Sequence, residues 1–277
     1  IGGISMSGLA QILLRERFAV SGSDAHESSL TDQLEEEGAT VFYGQRPENI
    51  RDGLDLVVYT AAVHPDNPEY QEVVRRGIPM MSRAELLGQM MKNYRHAVAV
   101  AGTHGKTTTT SMVTEILLAA GQDPTISVGG ILRSIHGNIR VGGSGLFVTE
   151  ACEYTNSFLS FFPRIGIILN IEEDHMDFFR DLDDIRSSFR RFAGLLPEDG
   201  LLIINGSIPS PEYLTEAPAC PVVTFGASTA CDYYCSDISH DEKAQASFVL
   251  HGPSGLTLPV QLGVPGEHHV LNALAAL

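Results

Sequence analysis

The feature that most constrains the fold of this chain is the stretch 101–110, which reads AGTHGKTTTT. The apolar segment 97–100 before it is typical of a buried strand, and residues 111–120 after it carry apolar side chains at helical spacing. A glycine-bracketed turn between a strand and a helix gathers backbone N–H groups and a helix N-terminus at one point, which is a geometry that binds phosphate. We therefore predict a triphosphate site here, although Val100 stands where the standard phosphate-loop pattern begins with glycine.

Two side chains of this stretch have the chemistry that a triphosphate needs. Lys106 would place a positive charge beside the β- and γ-phosphates, and the Thr107 hydroxyl would lie where Mg²⁺ is held. The alternative, a Gly/Thr turn with a surface lysine, does not explain why strand, glycines, Lys-Thr and helix occur in this order. The residues of this stretch that we expect to contact a nucleotide are Gly102, Thr103, His104, Gly105, Lys106, Thr107 and Thr108.

Length and composition limit the possible classes. The 277 residues allow two domains, which we place at 1–93 and 94–277. The formal net charge of −16 disfavours a nucleic-acid partner, and no apolar run approaches the length of a membrane span. The four cysteines lack C-x-x-C spacing, which favours a reducing cytoplasm. Because the sequence starts inside a glycine turn and stops in a helical pattern, we expect a fragment; its oligomeric state is left open.

The first region has the order of a dinucleotide-binding fold. A glycine- and serine-rich turn at 2–8 leads into a helix to residue 17, a short strand is expected at 18–21, and Asp24 follows. In such a fold the turn amides take a diphosphate and the acidic residue takes a ribose or base group. A plain tight turn into a helix stays open as the alternative, because Ser5 breaks the third-glycine pattern.

Further α/β units are expected before residue 94. An apolar strand at 54–59 leads into the loop 60–65, at the edge where open α/β sheets bind ligands. Ser82 and Glu85 have the spacing of a capping box at the start of a helix. The remaining elements predicted here are helices at 30–37, 68–76 and 82–93 and a strand at 40–42.

In the second region, two predicted strands deliver acidic residues and a histidine to one sheet edge. The strand at 146–149 is followed by Glu150, and the strand at 165–169 is followed by a segment that contains His175. Beside the phosphate loop, these groups would suit a divalent cation that bridges phosphate oxygens. These acidic residues could instead cap the helices that follow the strands. For Glu153, Asp174 and Asp177 we give helix capping and cation binding equal weight.

The end of the sequence changes character. Residues 231–262 alternate polar and apolar side chains between glycine-containing turns, which predicts antiparallel strands at the sheet edge. His268 and Asn272 are four residues apart at a helix start, so they share a face and could meet a purine ring. The adjacent pair His268 and His269 has no nearby Cys/His partners and is not expected to bind a metal.

The series of motifs resembles the Mur ligases of peptidoglycan synthesis, and most closely the branch that adds L-alanine. It spans nearly the whole chain in order: GGISMSGLA, GTHGKTTTT, EACE, NIEEDHMD and PGEHHVLNALAA. The resemblance implies a Rossmann-like, parallel-sheet N-terminal domain for UDP-N-acetylmuramate, followed by a P-loop central domain for ATP and Mg²⁺. It also implies that the muramoyl carboxylate and ATP form an acyl phosphate, from which the amine of L-alanine displaces phosphate.

The resemblance also assigns roles to individual positions. Lys106, Glu150 and His175 match catalytic positions, with Thr107, Glu150 and His175 as metal ligands. Asn170, His268 and Asn272 match nucleotide-binding positions, the last two at the adenine. The positions implied for the UDP-sugar are Gly2, Gly3, Ser7, Asp24, Thr60, Ala61 and His64.

Some positions depart from the family pattern. Cys152 stands where relatives often carry Asp, and His269 stands where Asn is usual. The family's third domain is absent after residue 277, so we expect this stretch alone to bind nucleotide weakly and to form no product. Three alternatives stay open: a ligase that reattaches recycled muramyl peptide, an NAD-binding module, and a non-catalytic nucleotide-binding regulator.

Overall fold

The computed structural model describes residues 1–60, 62–143 and 145–277, so Ala61 lies outside the described residues. The helices are α1 (Ile4–Arg15), α2 (Ser29–Glu36), α3 (Pro68–Arg76), α4 (Arg83–Met91), α5 (Lys106–Ala119), α6 (Leu182–Ala193), α7 (Glu212–Thr215) and α8 (His268–Ala276). The strands are β1 (Ser21–Asp24), β2 (Thr40–Tyr43), β3 (Val57–Tyr59), β4 (Met80–Ser82), β5 (His96–Ala101), β6 (Thr125–Leu132), β7 (Gly137–Arg140), β8 (Leu146–Ala151), β9 (Ile165–Ile168), β10 (Leu201–Asn205), β11 (Val222–Gly226), β12 (Tyr233–His240), β13 (Gln245–Gly252) and β14 (Leu256–Pro265). Among the described residues, no helix is both long and apolar enough to cross a bilayer.

The first region contains two parallel strand pairs, β1 with β2 and β3 with β4. Strand β1 begins at Ser21, so the strand expected at 18–21 was placed three residues too early. The reason is the end of α1: Arg17 takes a left-handed φ of 67°, and the Phe18 N–H donates to the Leu13 carbonyl at 3.0 Å. Residues 17 and 18 therefore close the helix instead of starting the strand.

A ten-stranded sheet forms the second region, in the order β14-β13-β12-β11-β10-β9-β5-β8-β6-β7. All neighbouring pairs from β6 to β12 are parallel, and at one edge β13 pairs antiparallel with both β12 and β14. The predicted antiparallel edge is thus confirmed, as is the α/β class. Strand β7, which pairs antiparallel with β6 at the opposite edge, was not predicted.

Strand β5 divides the core into two layers because its side chains alternate between the sheet faces. Val98 and Val100 pack in one layer with Val270 of α8, whereas Ala97 and Ala99 pack in the other layer. That second layer also contains side chains of α1 and α4, so the first region shares a core with the sheet. The residues concerned are Leu9, Ile12, Leu86, Leu87, Met90 and Met91.

Two glycines allow this close approach between the regions. A Cβ at Gly8 of α1 would lie 1.9 Å from Ile139 Cδ1 of β7. A Cβ at Gly88 of α4 would lie 1.9 Å from the carbonyl oxygen of Ser160. Packing of backbone against backbone at Gly88 leaves little freedom to move, so it holds α4 beside the segment that follows β8.

Candidate functional site

The site lies where three neighbouring parallel strands end. Strand β5 stands between β8 and β9, and the carboxyl ends of all three face the same edge of the sheet. The 101–110 stretch follows β5, the segment from Glu150 to Glu153 ends or follows β8, and residues 169–177 follow β9. This is the edge at which open α/β sheets bind ligands.

Two glycines shape the phosphate loop. Gly102 and Gly105 have φ values of 148° and 85°, which L side chains rarely adopt. Helix α5 begins at Lys106, five residues earlier than predicted, because Gly105 serves as its N-cap. No side chain of the described residues caps this end, so the N–H groups of residues 106–108 have no intrahelical acceptor and are free to bind an anion.

Asn170 anchors the phosphate loop through two hydrogen bonds to the backbone of His104. Its Oδ1 accepts a hydrogen bond from the His104 N–H at 2.7 Å, and its Nδ2 donates to the His104 carbonyl at 3.0 Å. Next to it, the Thr103 hydroxyl accepts from the Glu172 N–H at 2.9 Å. Asn170 and Thr103 therefore tie the loop to the end of β9, whereas the exposed side chain of His104 lies outside this contact.

Lys106 is paired with a buried carboxylate. Its Nζ lies 2.9 Å from Glu153 Oε2 and 3.2 Å from Oε1, and it also donates to the Gly102 and Thr103 carbonyls. The Glu153 side chain is only 2% exposed. The sequence left the role of Glu153 open, and the structure makes it the principal counter-ion of Lys106.

Glu153 also belongs to a cluster with Asp174 and His175, in which one ligand atom from each lies within 4.8 Å of the others. The His175 Nε2 is 3.9 Å from Glu153 Oε1 and 3.8 Å from Asp174 Oδ2. The ring of Tyr154 packs against His175 with the two ring centroids 4.6 Å apart, and the Tyr154 hydroxyl donates to Asp177 at 2.8 Å. Asp177 thus orients the aromatic neighbour of His175 and lies outside the cluster.

Glu150 and Thr107 lie on another side of the loop, along the glycines that end the buried part of β6. Glu150 Oε1 accepts from the Gly129 N–H at 2.6 Å, and a Cβ at Gly130 would lie 3.4 Å from Thr107 Cγ2. Glu150 is not a member of the cluster around His175 in the described part of the chain. The three metal ligands expected from the sequence are therefore divided between two sides of the loop.

At the expected adenine end, α8 touches the loop. Asn272 is buried, and a Cβ at Gly105 would lie 2.5 Å from its Oδ1. Its Nδ2 lies 3.2 Å from His269 Nδ1, and burial together with neighbouring His268 lowers the pKa of His269. His268 is exposed, with its ring centroid 4.0 Å from that of His269. Of the predicted pair, Asn272 thus lies against the loop, whereas His268 is exposed beside His269.

In the first region, Asp24 lies against the glycine turn. Its Oδ2 accepts from the Gly2 N–H at 2.7 Å, and its Oδ1 accepts from the His26 N–H at 3.3 Å. Burial raises the pKa of Asp24, but these amide hydrogen bonds outweigh it and hold the pKa below its usual value. A diphosphate that binds at this turn would have to share the Gly2 N–H with the Asp24 carboxylate or displace that carboxylate from it.

The other residues expected at the UDP-sugar are more scattered. The Ser7 hydroxyl is buried and donates to the Ile4 carbonyl at 3.0 Å, so it faces its own helix. Gly3 and His64 are exposed, and Thr60 Oγ1 accepts from the Ala62 N–H at 3.3 Å.

Arg83 was missed by the sequence analysis. It is the first residue of α4, and it makes no hydrogen bond or ion pair with any described residue. Burial lowers the pKa of its guanidinium, with a partial offset from Cys152, the residue before Glu153. The available signal was a basic side chain in the first turn of a helix, where acidic residues are favoured.

The parallel sheet, the glycine loop at the end of β5 and the carboxylates beside it define a class of protein. A model described as "Mur ligase middle domain" matches residues 100–277, and one described as "Mur ligase family, catalytic domain" matches residues 1–95. The chain belongs to the Mur ligase family.

Two curated relatives carry the same name. A UDP-N-acetylmuramate–L-alanine ligase of Lachnospira eligens is 58% identical over all of this chain and 61% of the relative. A protein of the same name from Clostridium botulinum (strain Loch Maree) is 48% identical, over 60% of its length. The chain spans about three fifths of the length of these curated relatives.

Solved structures of several relatives cover the whole chain. UDP-N-acetylmuramate-alanine ligase from Thermotoga maritima aligns with a TM-score of 0.83 and 33% identity over 62% of that structure. UDP-N-acetylmuramate:L-alanyl-gamma-D-glutamyl-meso-diaminopimelate ligase from Neisseria meningitides aligns with a TM-score of 0.88 and 29% identity over 89% of that structure. Both similarities agree with the α/β fold described above.

Proposed function

We propose that this chain carries the UDP-sugar-binding and ATP-binding parts of a ligase that joins L-alanine to UDP-N-acetylmuramate. The observation that carries the proposal is the uncapped start of α5, with Lys106 directly beside the acidic cluster. The 58% identity to a relative of that name supports the choice of substrates. We assign the UDP-sugar to residues 1–93 and ATP to residues 94–277.

The proposed reaction needs charge neutralisation and positioning more than a protein nucleophile. The N–H groups of residues 106–108 hold the phosphates, and Lys106 stabilises the charge that develops on the γ-phosphoryl group. The muramoyl carboxylate oxygen attacks that group, which breaks its bond to ADP and forms an acyl phosphate. The alanine amine then attacks the acyl carbon, phosphate leaves, and a proton is lost from the nitrogen to give the amide.

The residues around the loop fit a divalent cation. Glu153 and Asp174 offer carboxylate oxygens and His175 offers a ring nitrogen on one side, while Thr107 and Glu150 offer oxygens on the other. Oxygen-rich sets of this kind suit Mg²⁺. Such an ion, when bound, would neutralise charge on the phosphates. Because ATP and UDP-sugars are substrates of the cytoplasm, we propose that compartment, in agreement with four free cysteines.

Calorimetric titration of this chain tests the proposal. We expect UDP-N-acetylmuramate to bind more tightly than UDP-N-acetylglucosamine, and NADH not to bind. ATP with Mg²⁺ should bind to the wild type and much more weakly to Lys106→Met, which removes the charge and keeps the stem. Arg191→Met, at an exposed position of α6, is the matched control. Tight NADH binding with no response to UDP-N-acetylmuramate would refute the assignment.

A second candidate is a ligase that attaches an L-alanyl-γ-D-glutamyl-diaminopimelate peptide to the same muramoyl carboxylate. The structural agreement with the Neisseria enzyme, over 89% of that structure, favours it. ADP release by the complete gene product separates the two candidates, with ATP, UDP-N-acetylmuramate and either L-alanine or the tripeptide. We expect turnover with L-alanine; turnover with the tripeptide alone would select the second candidate.

A further inference from the structure

The pairing of Lys106 with Glu153 has a cost for nucleotide binding. Glu153 is 2% exposed, and a buried carboxylate needs a positive partner. The ammonium of Lys106 is that partner, and the Gly102 and Thr103 carbonyls take up its remaining N–H capacity. The N–H groups of the Lys106 ammonium therefore all have acceptors within the protein.

Binding a triphosphate changes this balance. If Lys106 turns from Glu153 to the phosphates, the carboxylate stays buried without its cation, which is unfavourable. The phosphates also bring negative charge toward the same carboxylate. The nearest other basic group is His175, whose Nε2 is 3.9 Å from Glu153 Oε1, and Asp174 at 3.8 Å already opposes it. Among the described residues, no basic side chain other than Lys106 and His175 lies within ion-pair distance of Glu153, so we look to a cation from solution as the replacement.

We infer that Glu153 is a positioning residue that makes nucleotide binding depend on a divalent cation. The inference rests on the proposed function, in which the loop takes ATP. A divalent ion near Glu153, Asp174 and His175 supplies the positive charge that the carboxylate loses, and so releases Lys106 to the phosphates. Without the ion, Glu153 competes with the nucleotide for the lysine.

Glu153→Gln is the direct test, because it keeps the shape of the side chain and removes the charge. ATP affinity is measured by calorimetry in excess EDTA and in excess MgCl₂, and the ratio of the two dissociation constants reports the dependence on metal. We expect the variant to bind ATP more tightly than wild type in EDTA. We also expect its ratio to be at least tenfold smaller, equivalent to about 1.4 kcal/mol of coupling.

Two further variants separate this role from a general charge effect. Glu173→Gln removes an exposed carboxylate that makes no hydrogen bond with any described residue, and its ratio should stay within twofold of wild type. Asp174→Asn lies in the cluster but does not bind Lys106, so it should weaken binding in MgCl₂ without strengthening it in EDTA. Glu153→Asp keeps the charge and should keep the dependence on metal, which covers the case in which Glu153→Gln does not fold.

The outcomes are distinct. The inference would be overturned if folded Glu153→Gln had the same ratio of ATP dissociation constants as wild type. It would also be overturned if Glu153→Asp lost the dependence on metal, or if Glu173→Gln gained as much ATP affinity in EDTA as Glu153→Gln. If wild type binds ATP neither in EDTA nor in MgCl₂, the proposed function fails, and the inference fails with it.

Discussion

A single methyl group at Gly105 tests how the phosphate loop is packed against α8. In Gly105→Ala the new Cβ would lie 2.5 Å from Asn272 Oδ1 and 3.3 Å from its Cγ. The backbone at Gly105 also has a φ of 85°, which alanine adopts only with strain. Asn272 cannot yield freely, because it is buried and its amide nitrogen lies 3.2 Å from His269 Nδ1.

The size of the effect follows from these two contributions. The left-handed conformation costs alanine about 1 kcal/mol. Moving the buried Asn272 from its rotamer or from His269 costs roughly another 1 kcal/mol. Gly121→Ala is the matched control, since Gly121 follows the same helix α5 with a φ of 71° and has open space around its Cβ position. Gly121→Ala therefore incurs only the cost of the left-handed backbone conformation.

Thermal unfolding followed by far-UV circular dichroism measures both variants. We expect Gly105→Ala to lower the melting temperature by roughly 4–8 °C and Gly121→Ala by roughly 2–4 °C. Adding Asn272→Ala to Gly105→Ala should remove the contact, so that the double variant is less destabilised than the sum of the two single changes. Equal losses in the two glycine variants, with strictly additive behaviour of the double variant, would refute the packing argument.

Three further predictions concern other parts of the chain. Arg83→Gln should weaken UDP-N-acetylmuramate binding about tenfold or more in calorimetry, because the guanidinium has no anionic partner among the described residues; an unchanged affinity would exclude it from the substrate site. Thr114→Val should stabilise the protein by about 1 kcal/mol in urea unfolding, since the buried hydroxyl has no hydrogen-bond partner among the described residues and valine keeps the β-branched shape; destabilisation would contradict this. The pKa of Glu72 is lowered to about 2 by hydrogen bonds from Arg75 and then Arg76. A depressed folded-state pKa contributes stability above the usual value of 4.5 that is lost as the pH falls toward 2. Glu72→Gln should therefore cost stability at pH 7 and little at pH 2, and a carboxyl NMR titration with a midpoint near 4.5 would disprove the assignment.

The elements that were correctly predicted have signals within a few residues of chain. Ser82 and Glu85 form the expected capping box, in which each side chain bonds the backbone of the other. The alternation of β13 and β14 with their turn residues predicted an antiparallel edge, and the structure confirms it. These signals work because caps, turns and side-chain alternation depend on local backbone geometry.

Errors occurred where a distant contact decides the outcome. Strand β4 is only three residues long and was not predicted, because its existence depends on pairing with β3. Strand β7 likewise exists through pairing with β6. Short segments have no periodicity long enough to recognise, so a sequence pattern cannot distinguish them from loops.

By itself the sequence determined that a glycine loop joins a buried strand to a helix, with Lys106 at the helix start, and that carboxylates follow the neighbouring strands. Only the tertiary structure decided which carboxylate meets the lysine. Glu150 and Glu153 are both plausible from their spacing, yet the turn after β8 buries Glu153 against Lys106, whereas Glu150 lies within β8 and accepts from the Gly129 N–H of the neighbouring strand β6. The physical reason is that local propensity specifies the elements and the residues at their ends, whereas the pairing of buried charges depends on the order of strands and on which side chains the packed core excludes from water.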